Sequence, residues 1–193
     1  ALLRVTWEQN VQTITWDDFP WSSTDNEILQ SIGEQNAVPG CIVAQYQQSY
    51  VVVTPAGTRT GFVSGRLAHL SELGTMELPA VGDYVALSAG DDEKARIDAV
   101  LPRRNVYRRR RPGERVEAQV IAANLDHVCV LTAADADLSS RRIERYLSNI
   151  DAESATRALV LITKADLVRD PVALDRRMRH ELSCSLGPGC CVG

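Results

Sequence analysis

The chain has 193 residues, 45% of them apolar, which suits one or two domains able to bury cores of their own. No run approaches the roughly 18 consecutive apolar residues of a membrane span, and the N-terminus "ALLRVTWEQNVQ" meets a Glu too early for a signal peptide, so a cytoplasmic protein with no membrane attachment is expected. The formal net charge of −4 hides a local excess: residues 103–115, "RRNVYRRRRPGER", carry seven Arg against one Glu, a net +6, which leaves −10 for the remainder.

Residues 1–35 hold all three Trp and one candidate short helix in "STDNEILQSIGEQ"; they are read as an extension without an assigned role. From residue 36 to 104 the pattern turns to strands. "CIVAQY" leads through "QQS" to "YVVVT", "PAG" turns into "TRTGFVSGRL", and "VGDYVALS" is separated by "AGDDEK" from "ARIDAVLP". Short strands punctuated by Gly, Pro and Asp predict a small closed barrel, and five is the strand count of an OB-fold. An SH3-like barrel would read much the same. Cys41 and Cys129, both inside apolar runs, are read as reduced core residues, which agrees with the expected compartment.

Residues 105–116 are a basic linker in this reading. Arg offers phosphate contacts and stacking together, and Tyr107 adds an aromatic face, so Arg103, Arg104, Tyr107, Arg108, Arg109, Arg110 and Arg111 are candidate RNA-binding residues. The alternative is a charged linker that stays solvated and pairs with the acidic remainder of the chain.

After the linker the rhythm lengthens. "HVCVLTA" (127–133) and "ALVLI" (158–162) are continuous apolar runs, as expected of parallel strands covered on both faces. Between them a helix starts at Ser139 or Ser140, with Ile143, Leu147 and Ile150 on one face. Asp170-Pro171 opens a second helix as N-cap and first-turn proline, with Leu174, Met178 and Leu182 inside. Two strands and two helices begin a right-handed α/β sheet without closing it, so an open strand edge and uncovered apolar surface are expected.

The second strand runs into Thr163-Lys164-Ala165-Asp166, at the carboxyl end of a buried strand, where α/β sheets bind ligands. A carboxylate at Asp166 can accept from N1–H and the 2-amine of guanine. Adenine offers neither donor, so the pairing selects guanine. Lys164 would lay its stem along the base plane, and Ala165 keeps the turn uncrowded. The competing reading makes Asp166 a helix cap and Lys164 a solvated charge. Lysine is otherwise confined to Lys94, in "DEKAR", so no GxxxxGK[ST] phosphate-binding loop exists in these residues.

Taken in order, "VSGRLAHL", "LPAVGDYVAL", "IDAVLPRRNVYRRR", "AQVIAANLDHVCVLTAADADLSSRRIERYL" and "LITKADL", over about residues 40–170, resemble the ribosome small subunit-dependent GTPase A family. The resemblance implies an OB-fold domain at 36–104, the basic linker at 105–116 and, at 117–193, the first part of a circularly permuted P-loop GTPase domain. In such a permutation the guanine motif, here Thr163, Lys164 and Asp166, precedes the phosphate-binding loop. The family further implies GTP and Mg²⁺, a zinc-binding C-terminal domain, and the small ribosomal subunit and its RNA as partners, with a monomer expected. Its members assist late maturation of the small subunit and hydrolyse GTP to leave.

Two departures stand out. Thr163 occupies a place where many GTPases have Asn, which weakens one contact near the base but leaves Asp166 intact. Past residue 182 the family's next strand, guanine-contact turn, phosphate-binding loop, switches and zinc segment do not follow, and "LSCSLGPGCCVG" is read as the end of a fragment or a frame-shift. Cys184, Cys190 and Cys191 with His180 make a poor zinc set, since no CxxC pair exists and adjacent cysteines seldom share one tetrahedral ion. No catalytic residue is therefore assigned, and the chain alone is expected to be inactive. Competing readings are a non-catalytic RNA-binding OB module whose α/β part is only a scaffold, and a remnant with neither activity.

Overall fold

The structure is a computed structural model, and it describes residues 14–32, 36–88, 94–110, 118–135, 138–150, 156–183 and 191–192. Its contacts divide the chain into two units: residues 1–79 with 84–101, and residues 80–83 with 102–193.

The first unit is a five-stranded barrel. Its strands are β1 (Val38–Gln45), β2 (Tyr50–Thr54), β3 (Gly57–Val63), β4 (Tyr84–Ser88) and β5 (Lys94–Val100), closed in the order β1-β2-β3-β5-β4. Every pairing is antiparallel except β3 with β5. That order and count are those of an OB-fold, and closure leaves no unpaired strand edge. Ile42, Val52, Val85, Leu87 and Ile97 fill the interior, each at most 2% exposed. Two glycines make the closure possible. A Cβ at Gly40 would lie 2.5 Å from Val52 Cγ1, and one at Gly61 2.6 Å from Val52 Cγ2, so the buried valine takes the space of two missing side chains.

The segment "TRTGFVSGRL", expected as one strand, changes course at Ser64. The Ser64 side chain accepts from Leu67 N at 3.2 Å and caps a helix, α2 (Gly65–Glu72). Leu67, fully buried, plugs the barrel from that helix. The serine cap, followed three residues on by an apolar residue, was the local signal that alternation alone concealed.

Residues 14–32 belong to this unit. A reciprocal pair in which Asp25 accepts from Ser22 N and Ser22 Oγ accepts from Asp25 N precedes α1 (Ser23–Ile32). Trp16, Phe19, Trp21 and Leu29 cover the outer side of the barrel at Cys41, Tyr84, Ala86 and Leu101. Trp21 meets the Tyr84 ring edge-on at 5.3 Å between centroids.

In the second unit, β6 (Val106–Arg110) pairs antiparallel with β7 (Ala118–Ala123). Residues 106–110 of the expected linker are therefore strand, and 111–116 lie outside the described residues. Next come β8 (His127–Ala133), α3 (Ser140–Leu147), β9 (Arg157–Thr163), α4 (Pro171–Ser183) and a two-residue β10 (Cys191–Val192). The sheet order is β10-β9-β8, all parallel. Beyond the two expected strands, β10 thus covers part of the outer edge of β9.

Helices α3 and α4 lie on one face of this sheet. Ile143, Leu147, Met178 and Leu182 bury Val130 and Val160 there. On the other face no described element covers the sheet: Leu131 is 67% and Leu161 41% exposed. Cys129, expected in the core, shares that exposed side, because alternate residues of a strand face opposite ways and only one face of β8 has helices on it. Cys41, by contrast, is buried, and both cysteines are free thiols.

Candidate functional site

Strands β8 and β9 run in register from His127 opposite Arg157 to Ala133 opposite Thr163, so their carboxyl ends finish together. Two further bonds tie these ends: Ala134 N donates to Thr163 O at 2.8 Å, and Thr163 Oγ1 donates to Thr132 O at 3.1 Å. Thr163 thus braces the strand ends, a job for its hydroxyl that needs no ligand.

Immediately after the strand, Lys164 adopts φ 58° and ψ 31°, the left-handed region. Only two other non-glycine residues among those described, Asn36 and Asn124, have positive φ. Asparagine tolerates this conformation through local hydrogen bonding, whereas a lysine is held there at a cost of about 1–2 kcal/mol. Such an outlier points to a demand on the side chain. The turn continues as one 3-10 turn, Ala165–Leu167, closed by Leu167 N donating to Lys164 O.

Asp166 sits in that turn, exposed, and accepts no hydrogen bond among the described residues. The helix-capping role falls to Asp170 instead, whose Oδ1 accepts from Ala173 N at 2.9 Å at the start of α4. Asp166 is consequently a carboxylate without a structural task, beside a strained lysine, at the carboxyl edge of a parallel sheet.

Lys164 Nζ reaches Asp135 Oδ2 at 3.0 Å, with side-chain exposures of 55% and 37%. Asp135 follows β8, and it also lines an open groove of about 260 Å³ formed with Thr132, Ala133, Arg142, Ile143 and Tyr146. Asp135 was not among the residues singled out from sequence. Its only signal is position, two residues past an apolar strand.

Among the described residues, the expected RNA-binding side chains differ in exposure and partners. Arg103 is turned to a different use: its Nε and Nη2 hold Asp83 Oδ1 and Oδ2 at 2.8 and 2.7 Å. Asp83 is fully buried, Arg103 is 12% exposed, and Asp83 Oδ2 also accepts from Ala80 N. Asn124 joins this cluster by donating to Gly82 O, at a position whose φ of +88° suits glycine. Arg104, 53% exposed, has Asp126 at 3.6 Å and donates to Asn124, from its backbone N to Oδ1 at 2.8 Å and from Nη2 to the carbonyl O at 3.3 Å.

On β6, Tyr107 is half-buried and donates its hydroxyl to Tyr146 O at 3.3 Å. Arg108 is half-buried and Arg109 exposed, as successive residues of a strand must face opposite ways. Arg110 pairs through its backbone with Ala118, and Arg111 lies outside the described residues.

The exposed Asp166 carboxylate offers acceptors of the kind a guanine base requires, whereas the described residues add no cluster for phosphates or Mg²⁺. No group of three or more His, Cys, Asp or Glu able to hold a metal ion occurs among the described residues, and both lysines, Lys94 on β5 and Lys164, lie outside any glycine-rich loop. The imagined zinc set of Cys184, Cys190, Cys191 and His180 falls largely outside the described residues. Among the described residues no helix is long and apolar enough to cross a membrane.

Comparison with known proteins gives the site a context. The family model described as RsgA GTPase matches residues 100–186. The small ribosomal subunit biogenesis GTPase RsgA 2 of Lactiplantibacillus plantarum is 36% identical over 154 residues, 80% of this chain and 42% of that protein. Its namesake in Opitutus terrae is 33% identical over 180 residues, 88% of this chain and 47% of the relative. This chain therefore spans less than half the length of these curated relatives. Two solved structures share its fold. YloQ, described as a circularly permuted GTPase, gives a TM-score of 0.51 at 19% identity, and YjeQ from Thermotoga maritima 0.54 at 18%, each over 81% of this chain and 51% of the other.

Proposed function

Because the chain belongs to the RsgA GTPase family, we propose that it carries the base-recognition part of a GTP-binding factor for small ribosomal subunit biogenesis, working in the cytoplasm as a monomer. Thr163, Lys164 and Asp166 form the guanine site, and the exposed arginines of the second unit contact ribosomal RNA. The observation that carries this reading is Asp166: an exposed, uncommitted carboxylate beside a lysine in the left-handed region, where a parallel sheet ends. Phosphate binding, Mg²⁺ coordination and GTP hydrolysis belong to segments that these 193 residues do not contain, since GxxxxGK[ST] is absent. Mg²⁺, when bound in a complete GTPase, neutralises charge on the β- and γ-phosphates.

The test is base choice. Guanosine should bind the purified chain at roughly millimolar Kd, about the strength a few base contacts supply, with adenosine much weaker. Asp166→Asn turns an acceptor into an amide donor facing the 2-amine. Guanosine binding should fall at least tenfold, while xanthosine, with oxygen in that place, should gain. Equal binding of guanosine to both proteins would remove Asp166 from the site.

A further inference from the structure

We infer that Asp135 is a positioning residue for guanine recognition: it clamps the Lys164 ammonium so that the lysine stem is already laid out before the base arrives. This rests on the guanine-site reading above and adds to it a residue outside the Thr-Lys-x-Asp tetrad.

The geometry supplies three separate reasons. Lys164 Nζ and Asp135 Oδ2 are 3.0 Å apart, so the lysine is directed across the strand ends from β9 toward the segment after β8. Both ends of the clamp are themselves fixed. The Asp135 side is held through Ala134 N to Thr163 O and Leu138 N to Asp135 O, and the Lys164 side through Leu167 N to Lys164 O. Finally, the left-handed backbone at Lys164 sets the direction in which its side chain leaves the turn, and along that direction the ammonium meets Asp135. A long flexible side chain loses rotamer freedom when it is ordered on a ligand. A clamp that orders it beforehand removes that loss from the binding step.

The clamp is mostly in solvent, and exposed pairs are weak. The effect is therefore modest, a two- to fivefold change in affinity, and needs readouts that charge and folding do not confuse. Guanosine, which has no phosphates, serves as the probe, because repulsion between Asp135 and a phosphate chain would otherwise mask the effect. Having only two lysines, Lys94 and Lys164, the chain gives assignable ammonium signals in nitrogen-15 NMR.

The experiment compares wild type, Asp135→Asn, Asp135→Glu and Asp166→Asn by guanosine titration and by proton exchange at the Lys164 ammonium. Asp135→Asn should weaken guanosine two- to fivefold and speed ammonium exchange, with amide spectra of β8 and β9 retained. Asp135→Glu should restore both, and Asp166→Asn should weaken guanosine while leaving the ammonium signal alone. If Asp166→Asn weakens binding and Asp135→Asn does not, the clamp is overturned and the guanine site stands. If neither substitution alters guanosine binding, the site itself is lost and the clamp with it. Should Asp135→Asn collapse the dispersion of the β8 and β9 amide signals, and Asp135→Glu fail to restore affinity, the residue is structural and the inference is again overturned.

Discussion

At the scale of single residues, Lys164 separates folding from function. A glycine there would relieve about 1–2 kcal/mol of left-handed strain, against about 0.4–1 kcal/mol of extra freedom given to the unfolded chain. Lys164→Gly should therefore leave the second unit as stable as before or slightly more so, while guanosine binding weakens by the loss of the stem and its charge. Urea unfolding followed through the amide signals of β8 and β9 reads the first quantity, and guanosine titration reads the second. A loss of stability beyond about 1 kcal/mol would mean the lysine serves the fold. The place of Asp166, in the turn after a parallel strand, was legible from sequence, because a tetrad after an apolar run states both residue types and register. Asp135 was not: an acidic residue in a loop carries no periodicity, and only the register of β8 against β9 brings it within 3.0 Å of the lysine.

Secondary-structure elements decide how the arginines divide their work. In sequence, seven arginines in thirteen residues look like one cationic stretch; on β6 the pleat sends Arg108 and Arg109 to opposite faces, and Arg103 stands before the strand, committed to buried Asp83. Removing one partner from a buried ion pair strands the other, at a cost of about 3–5 kcal/mol. Arg103→Ala should accordingly unfold the second unit at distinctly lower urea. Arg104→Ser with Arg109→Ser should change stability by less than about 1 kcal/mol and flatten the salt dependence of ribosomal RNA binding by about one contact for each arginine removed. An unaltered salt slope would return these arginines to solvated surface. The same contrast explains what was readable in the elements. Helices α3 and α4 and strands β8 and β9 announced themselves through Ile143, Leu147, Met178 and unbroken apolar runs, since their buried faces repeat at a helix or strand period. Helix α2 hid behind one capping serine, and β6 hid because three consecutive arginines, Arg108, Arg109 and Arg110, leave no apolar alternation to show.

On the scale of the whole molecule, the two units differ in how far they enclose their own cores. The barrel closes on itself and is lined by fully buried Val52, Leu67, Val85 and Ile97, with residues 14–32 covering one outer side. In the second unit one sheet face has its helices, while Leu131 and Leu161 stand in solvent on the other. The proposed base-recognition site lies on that half-covered sheet, and base recognition alone does no chemistry. Phosphoryl transfer depends on a phosphate-binding loop, its lysine and Mg²⁺ to position the γ-phosphate and neutralise developing charge. Lys94, in "DEKAR", and Lys164, in "TKAD", cannot provide that lysine, so the 193 residues should bind guanosine and GTP about equally and turn over no GTP, with or without small ribosomal subunits. The same chain joined to the segment that follows in a full-length relative should bind GTP far more tightly and show turnover stimulated by the subunit. Measured side by side, stimulated turnover by the 193 residues alone would place the chemistry within them and overturn the division between base recognition and catalysis.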